Sequence, residues 1–157
     1  MSVILQGDQL REIALGRGPV SKLTTLSGAA VHQLYTVAGG RVLITALWGV
    51  TTTAMAGANT VNLQTDPTTG DTVVIVTATD LGTTDTAAGT TIGTVGVTTD
   101  TAANTIIYKK GGFPLMNLIV TTGEVEADVT GAGADGAITW YCTWIPLTSG
   151  ATLVAAA

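Results

Sequence analysis

GEVEADVTG, residues 123–131, sets Glu124, Glu126 and Asp128 at alternate positions, with Val125, Ala127 and Val129 between and beyond them. On a strand, residues two apart share a face and sit about 6.5–7 Å apart, at about 3.3 Å per residue. That spacing lies within the roughly 6.5–9.5 Å that separates acid from base in inverting glycosidases. Two readings follow: a catalytic carboxylate pair, or the wet side of a half-buried strand. The intervening residues decide between them. Acid outside and aliphatic inside is the period-two pattern of an antiparallel strand with one face on a core. A catalytic pair needs one carboxyl in a dry pocket, whereas a flat acid-lined face solvates all three and keeps them ionised. A calcium site would need loop oxygens that one strand does not supply. The stretch is read as a strand, with all three acids in water.

The same signal extends in both directions. AITWYCTWIPL (137–147) puts Ile138, Trp140, Cys142 and Trp144 on one strand face and Tyr141 on the other. A small apolar thiol between two indoles reads as packing. RVLITALWGVTT (41–52) is apolar on both faces, which predicts a strand covered on both sides. VHQLYTV (31–37), NTVNLQT (59–65), VVIVTATDL (73–81), IGTVGV (92–97), NTIIYKK (104–110) and PLMNLIVTT (114–122) bring the set to eight to ten strands. Turn residues such as Gly39–Gly40 and DPTTGD (66–71) punctuate them. The expected fold is all-β, an antiparallel β-sandwich or jelly-roll-like domain spanning residues 28–157. GVTTTAMAGANTV (49–61) and GVTTDTAANTII (96–107) echo each other weakly, as a duplication or as chance in so Thr- and Ala-rich a chain.

Residues 1–27 differ from the rest. Leu5, Leu10, Ile13 and Leu15 are scattered among charged residues, and GRGP (16–19) breaks any helix, so a short helix is expected around 7–15. This segment carries a charge of +1 and the remainder −6. It reads as an N-terminal extended arm that docks on the body, a neighbouring subunit or a larger partner. Leu5, Leu10, Arg11, Ile13, Arg17 and Lys22 are its candidate partner-binding residues. The alternative is a first strand plus loop of the same domain.

Composition narrows the function classes. Of 157 residues, 46% are hydrophobic and only 11% charged, against about 25% charged in an average soluble domain. Either much of the surface meets other protein or Thr hydroxyls keep it wet. A net charge of −5, with no basic run longer than Lys109–Lys110, argues against nucleic acid. The lone Cys142 excludes an internal disulfide framework and a multi-Cys zinc site. No apolar run approaches 18 residues, and SVILQGDQLREIAL lacks a basic n-region. No membrane span and no signal peptide are expected, and a cytoplasmic origin without export follows. His32 is the only histidine, so any Ser–His–Asp or Cys–His device must use it, and no serine sits in G-x-S-x-G. No catalytic residue, metal or cofactor is expected. Trp48 and the Tyr141 face keep a carbohydrate-binding module open as an alternative, beside an aromatic core or subunit-interface cluster.

The Thr/Gly/Ala/Val-rich body, GEVEADV, and the ending TGAGADGAITWYCTWIPLTSGATLVAAA resemble small virion proteins of tailed bacteriophages, of the head-decoration (capsid cement) or fibre type. The resemblance covers roughly residues 40–157 in style and rests on no short motif. It implies a non-enzymatic structural protein on the capsid surface that stabilises the phage head by binding the major capsid protein. It also implies a homo-oligomer, a trimer, and an N-terminal arm that grips the shell. A tail-tube or fibre subunit is the alternative within the same class.

Overall fold

The structure, a computed structural model, describes residues 6–82, 86–96, 105–108, 115–131, 133 and 135–157. In chain order the elements are α1 (Gly7–Leu15), β1 (Arg17–Thr25), β2 (Ala30–Ala38), β3 (Val42–Thr53), β4 (Thr60–Pro67), β5 (Val73–Asp80), β6 (Thr91–Gly96), β7 (Thr105–Tyr108), β8 (Leu115–Val120), β9 (Gly123–Thr130), β10 (Ala137–Pro146) and β11 (Thr152–Ala155). The strands form two antiparallel sheets, as the alternating patterns require. Sheet A runs β1-β10-β3-β6-β7, with β8 pairing the first half of β3, and sheet B runs β11-β2-β9-β4-β5. The pairs nest: β1 with β10, β2 with β9, β3 with β6, β4 with β5. The chain is therefore a folded ribbon wrapped across two sheets, and the all-β antiparallel sandwich read from the sequence is what it adopts.

The core lies between the sheets. From β10 come Ile138, Trp140 and Cys142, all at 0% exposure, and Trp144 at 6%. Tyr35, Leu63, Val125 and Ala127 of sheet B face them at 0%. Burying one large side chain of this kind contributes about 1.5–3 kcal/mol. Trp140 needs room on β3, and Gly49 provides it. A Cβ there would lie 2.7 Å from Ile138 Cγ2 and 3.1 Å from the Trp140 ring.

Three sequence readings change in detail. Residues 17–25, grouped with the arm by their charge, form β1, the edge strand of sheet A, in register with β10 from Lys22↔Trp140 to Thr25↔Ala137. The charge step at residue 27 therefore does not mark where the sheet begins. Secondly, the two echoing stretches connect differently. The first carries the chain from β3 in sheet A to β4 in sheet B, whereas the second joins β6 to β7 within sheet A, its loop residues 97–104 lying outside the described residues. Thirdly, β3 is apolar on both faces, yet the sandwich covers only one. Val42, Ile44 and Leu47 are in the core, while Leu43, Trp48 and Val50 stay partly exposed on the outer face of sheet A.

Candidate docking site

Gln6 begins the α1 segment, its main-chain N–H donating to Gln9 Oε1 at 2.9 Å. Gly16 ends the helix, its N–H donating to Glu12 O at 3.0 Å with φ at +87°. Any other residue there would be strained, and a Cβ would come within 2.7 Å of the Trp144 carbonyl oxygen. Gly16 thus fixes the base of α1 against β10. Two further links hold it. Thr45 Oγ1 donates to Leu15 O at 2.7 Å, and the Thr143 hydroxyl, also 2.7 Å away, donates in turn to Thr45, whose one proton is already used. Arg17 Nε donates to Glu12 Oε1 at 3.0 Å, while its guanidinium lies 5.5 Å from the centre of the Trp144 ring.

These links set which side of the helix faces the sheet. Asp8, Arg11, Glu12 and Leu15, at i, i+3, i+4 and i+7, share one face and line a groove of about 820 Å³ with Ala46, Trp48 and Thr143. Arg11 is ion-paired with Asp8 on that side. Leu10 and Ile13 lie on the opposite side, 53% and 66% exposed, and no residue of α1 is buried. The helix therefore turns Asp8, Arg11, Glu12 and Leu15 toward the groove, all of them still largely exposed, and Leu10 and Ile13 to the other side.

Of the arm residues singled out from the sequence, the structure brings Leu10 and Ile13 onto one stripe and sets Arg11 and Arg17 in ion pairs beneath it. Leu5 lies outside the described residues. Lys22 belongs elsewhere: it projects from β1, and its Nζ donates to the main-chain oxygens of Ala156 at 2.6 Å and Ala157 at 3.0 Å, clasping the segment after β11.

The groove opens onto the outer face of sheet A. Trp48 and Tyr141 stand directly opposite on β3 and β10 and stack, ring centres 5.4 Å apart and planes within 15°. Each ring covers one face of the other, which leaves less of the flat platform a sugar would need. Leu23, in register with Thr139, is 58% exposed, and Ile119, in register with Leu43, is 60% exposed. The alternation in AITWYCTWIPL placed Tyr141 outside; it could not show that β3 would set Trp48 beside it.

Sheet B has a different outer face. Val125, Ala127 and Val129 point inward as read, at 0%, 0% and 1% exposure. Outside, each acid of β9 accepts a hydrogen bond from the residue opposite: Glu124 from Thr36 Oγ1 at 2.9 Å, Glu126 from Gln64 Nε2 at 2.9 Å, Asp128 from Asn62 Nδ2 at 3.4 Å. The expectation that water bathes all three needs correcting at Glu126, which is 5% exposed. Its strand is central, and Gln33 and Gln64 stand in register on either side. Among the described residues, no group of three or more His, Cys, Asp or Glu side chains could hold a metal ion.

His32 and Glu126 line a separate depression of about 430 Å³ with Lys22 and Thr24, where β1 faces β2. Burial lowers the His32 pKa from its usual value, and its Nε2 has no hydrogen-bond partner among the described residues. Cys142 is not part of this depression. It is fully buried, and desolvation pushes its thiol up to about 12, leaving no thiolate at neutral pH. Among the described residues, no helix is long and apolar enough to cross a membrane. No family model matches the chain, and no curated protein or solved structure matches it.

Proposed function

We propose that this chain is a non-enzymatic structural protein of a tailed-phage virion, a capsid decoration (cement) protein. It stabilises the head by binding over the major capsid protein and clamping neighbouring subunits, as a homo-oligomer on the capsid surface. One observation carries the reading: α1 is pinned to the body at its base while Leu10 and Ile13 point away, 53% and 66% exposed. A helix held in this way has its apolar stripe ready for another protein. The antiparallel sandwich of two sheets gives the clamp a rigid base. The sparse charge of the body suits a surface that works against other proteins.

The test is co-sedimentation of the full-length chain with capsid shells that lack decoration. Leu10→Asp combined with Ile13→Asp removes the stripe without touching the core. At about 1.5–3 kcal/mol for each buried side chain, binding should weaken by at least about a hundredfold. Undiminished binding by the double variant would sink the proposal.

A further inference from the structure

The strands at one edge of sheet B do not match in length. β11 pairs only with Tyr35–Ala38 of β2, and Ala156 N–H donates one bond more, to Leu34 O. The first half of β2, Ala30–Gln33, pairs with β9 on one side and, among the described residues, with no strand on the other. The depression of about 430 Å³ lies along this half. Val31, His32 and Gln33 line it from β2, Lys22, Leu23 and Thr24 from β1, and Ala157 bounds it just past β11. It is a slot in line with β11, with room for about 13 Å of strand along four residues of β2.

A slot of this kind takes main chain. An open strand edge presents a row of N–H and C=O groups, and an extended segment laid on it satisfies them while pockets for alternate side chains give specificity. The side chains here are arranged for that alternation. His32 stands opposite the buried Ala127 and faces inward, whereas Val31 stands opposite Asp128 and faces outward. On β1, Lys22 and Thr24 face inward, opposite Trp140 and Ile138, and Leu23 faces outward. Two of the inward groups are unfinished. Thr24 is 4% exposed, and neither its Oγ1 nor His32 Nε2 has a hydrogen-bond partner among the described residues. A buried polar atom left unpaired costs free energy, and a small polar side chain entering from the slot would supply the partner. The outward rim is apolar instead, Leu23 and Val31 being 58% and 52% exposed. Lys22 and Glu126 offset each other in charge, and Lys22 Nζ is committed to Ala156 O and Ala157 O. The slot therefore suits an uncharged segment.

We infer that an extended segment of the major capsid protein adds to β2 in line with β11, pairing with Ala30–Gln33 and placing a Ser, Thr or Asn side chain beside Thr24 and His32. The inference rests on the reading of this chain as a capsid clamp and deepens it. A clamp across neighbouring subunits needs two grips. The α1 stripe is one, and the slot is the other, about 16–23 Å away along β1 from Arg17 to Lys22 and Thr24. Two linked grips hold more tightly than either alone.

The experiment is amide hydrogen exchange of the full-length chain, free and bound to an excess of capsid shells that lack decoration. Exchange at residues 30–33 should slow by at least about tenfold on binding. Val31→Asp, at an exposed outward position, should weaken co-sedimentation by at least about tenfold and abolish that protection. Thr24→Val keeps the shape and removes an unpaired hydroxyl, so the fold should be no less stable while shell binding falls by about tenfold. Full binding by both variants would overturn the inference. Bound chain whose residues 30–33 exchange as fast as in the free chain overturns the slot and leaves the α1 grip standing. Protection and binding that persist undiminished when Leu10→Asp and Ile13→Asp are combined sink the α1 grip and support the slot. Protection that already appears in the free chain and grows with its concentration overturns the inference, since a second copy would then be the occupant. A chain that binds no shell overturns both grips.

Discussion

On the outer face of sheet B, each acid of β9 meets a donor on the strand beside it; on the outer face of sheet A, Trp48 of β3 stacks on Tyr141 of β10. Both faces lie outside the same core, and both are made by strands with alternating side chains. The difference lies in what the outward positions carry. Acids with Thr, Gln and Asn partners make a surface content with water, because each charge is solvated or hydrogen-bonded. Aromatic and aliphatic outward positions make a surface that is incomplete until something covers it.

The alternation on β9 is the foundation of that comparison, and breaking it should have the largest effect. Ala127 is at 0% exposure between two outward acids. Ala127→Asp would move a carboxylate from the face that tolerates it to the core that does not, leaving it buried and unpaired. A loss of about 3–5 kcal/mol is expected, measured by urea unfolding. A loss below about 1 kcal/mol would mean that the two faces are not separated as described.

Within sheet B, the three acids should not be equivalent. Glu126 is 5% exposed and accepts from the half-buried Gln64 amide, so Glu126→Ala removes a charged hydrogen-bond acceptor and should cost about 1–3 kcal/mol. Glu124→Ala, at a more open position, should cost no more than about 1 kcal/mol. Equal losses at the two positions would erase the distinction between a covered and a wet acid.

That distinction also marks how far the sequence could be read. Period two in GEVEADVTG and AITWYCTW was enough to place Val125, Ala127, Trp140 and Cys142 inside, because alternation is a property of one strand. Burial of Glu126 depends on Gln33 and Gln64, which lie far away in sequence and come alongside only through strand order. The Trp48–Tyr141 stack is invisible for the same reason. The helix at 7–15 was legible from its scattered leucines and the GRGP breaker, but the side it turns to the sheet depends on Gly16 and Thr45, a tertiary fact. β1 was hidden by its charges: Arg17 and Lys22 look like a solvent-exposed arm until their partners Glu12, Trp144 and the segment after β11 are seen.

On sheet A, the test is whether Trp48 and Tyr141 act as a pair. Alanine at both positions, singly and together, forms a double-mutant cycle. Stacking at 5.4 Å should appear as a coupling of about 0.5–1.5 kcal/mol in the isolated fold. Zero coupling would make the two rings independent surface residues and weaken the case that the face is organised.

The smallest effect concerns the seam where the two sheets meet. His32 lines the depression between β1 and β2 with Lys22 and Glu126, and burial lowers its pKa below the usual 6.5. The unfolded chain then takes up a proton near pH 6.5 that the folded chain binds less readily. By linkage, this group makes folding less favourable as pH falls through that value, and leaves stability unaffected well above it. His32→Gln removes the titration while keeping a polar side chain at the seam. The variant should therefore lose less stability than wild type between about pH 7 and pH 5.5, with the two chains behaving alike in pH dependence above about pH 7.5. An unchanged slope would show that protonation of His32 is as easy in the fold as out of it.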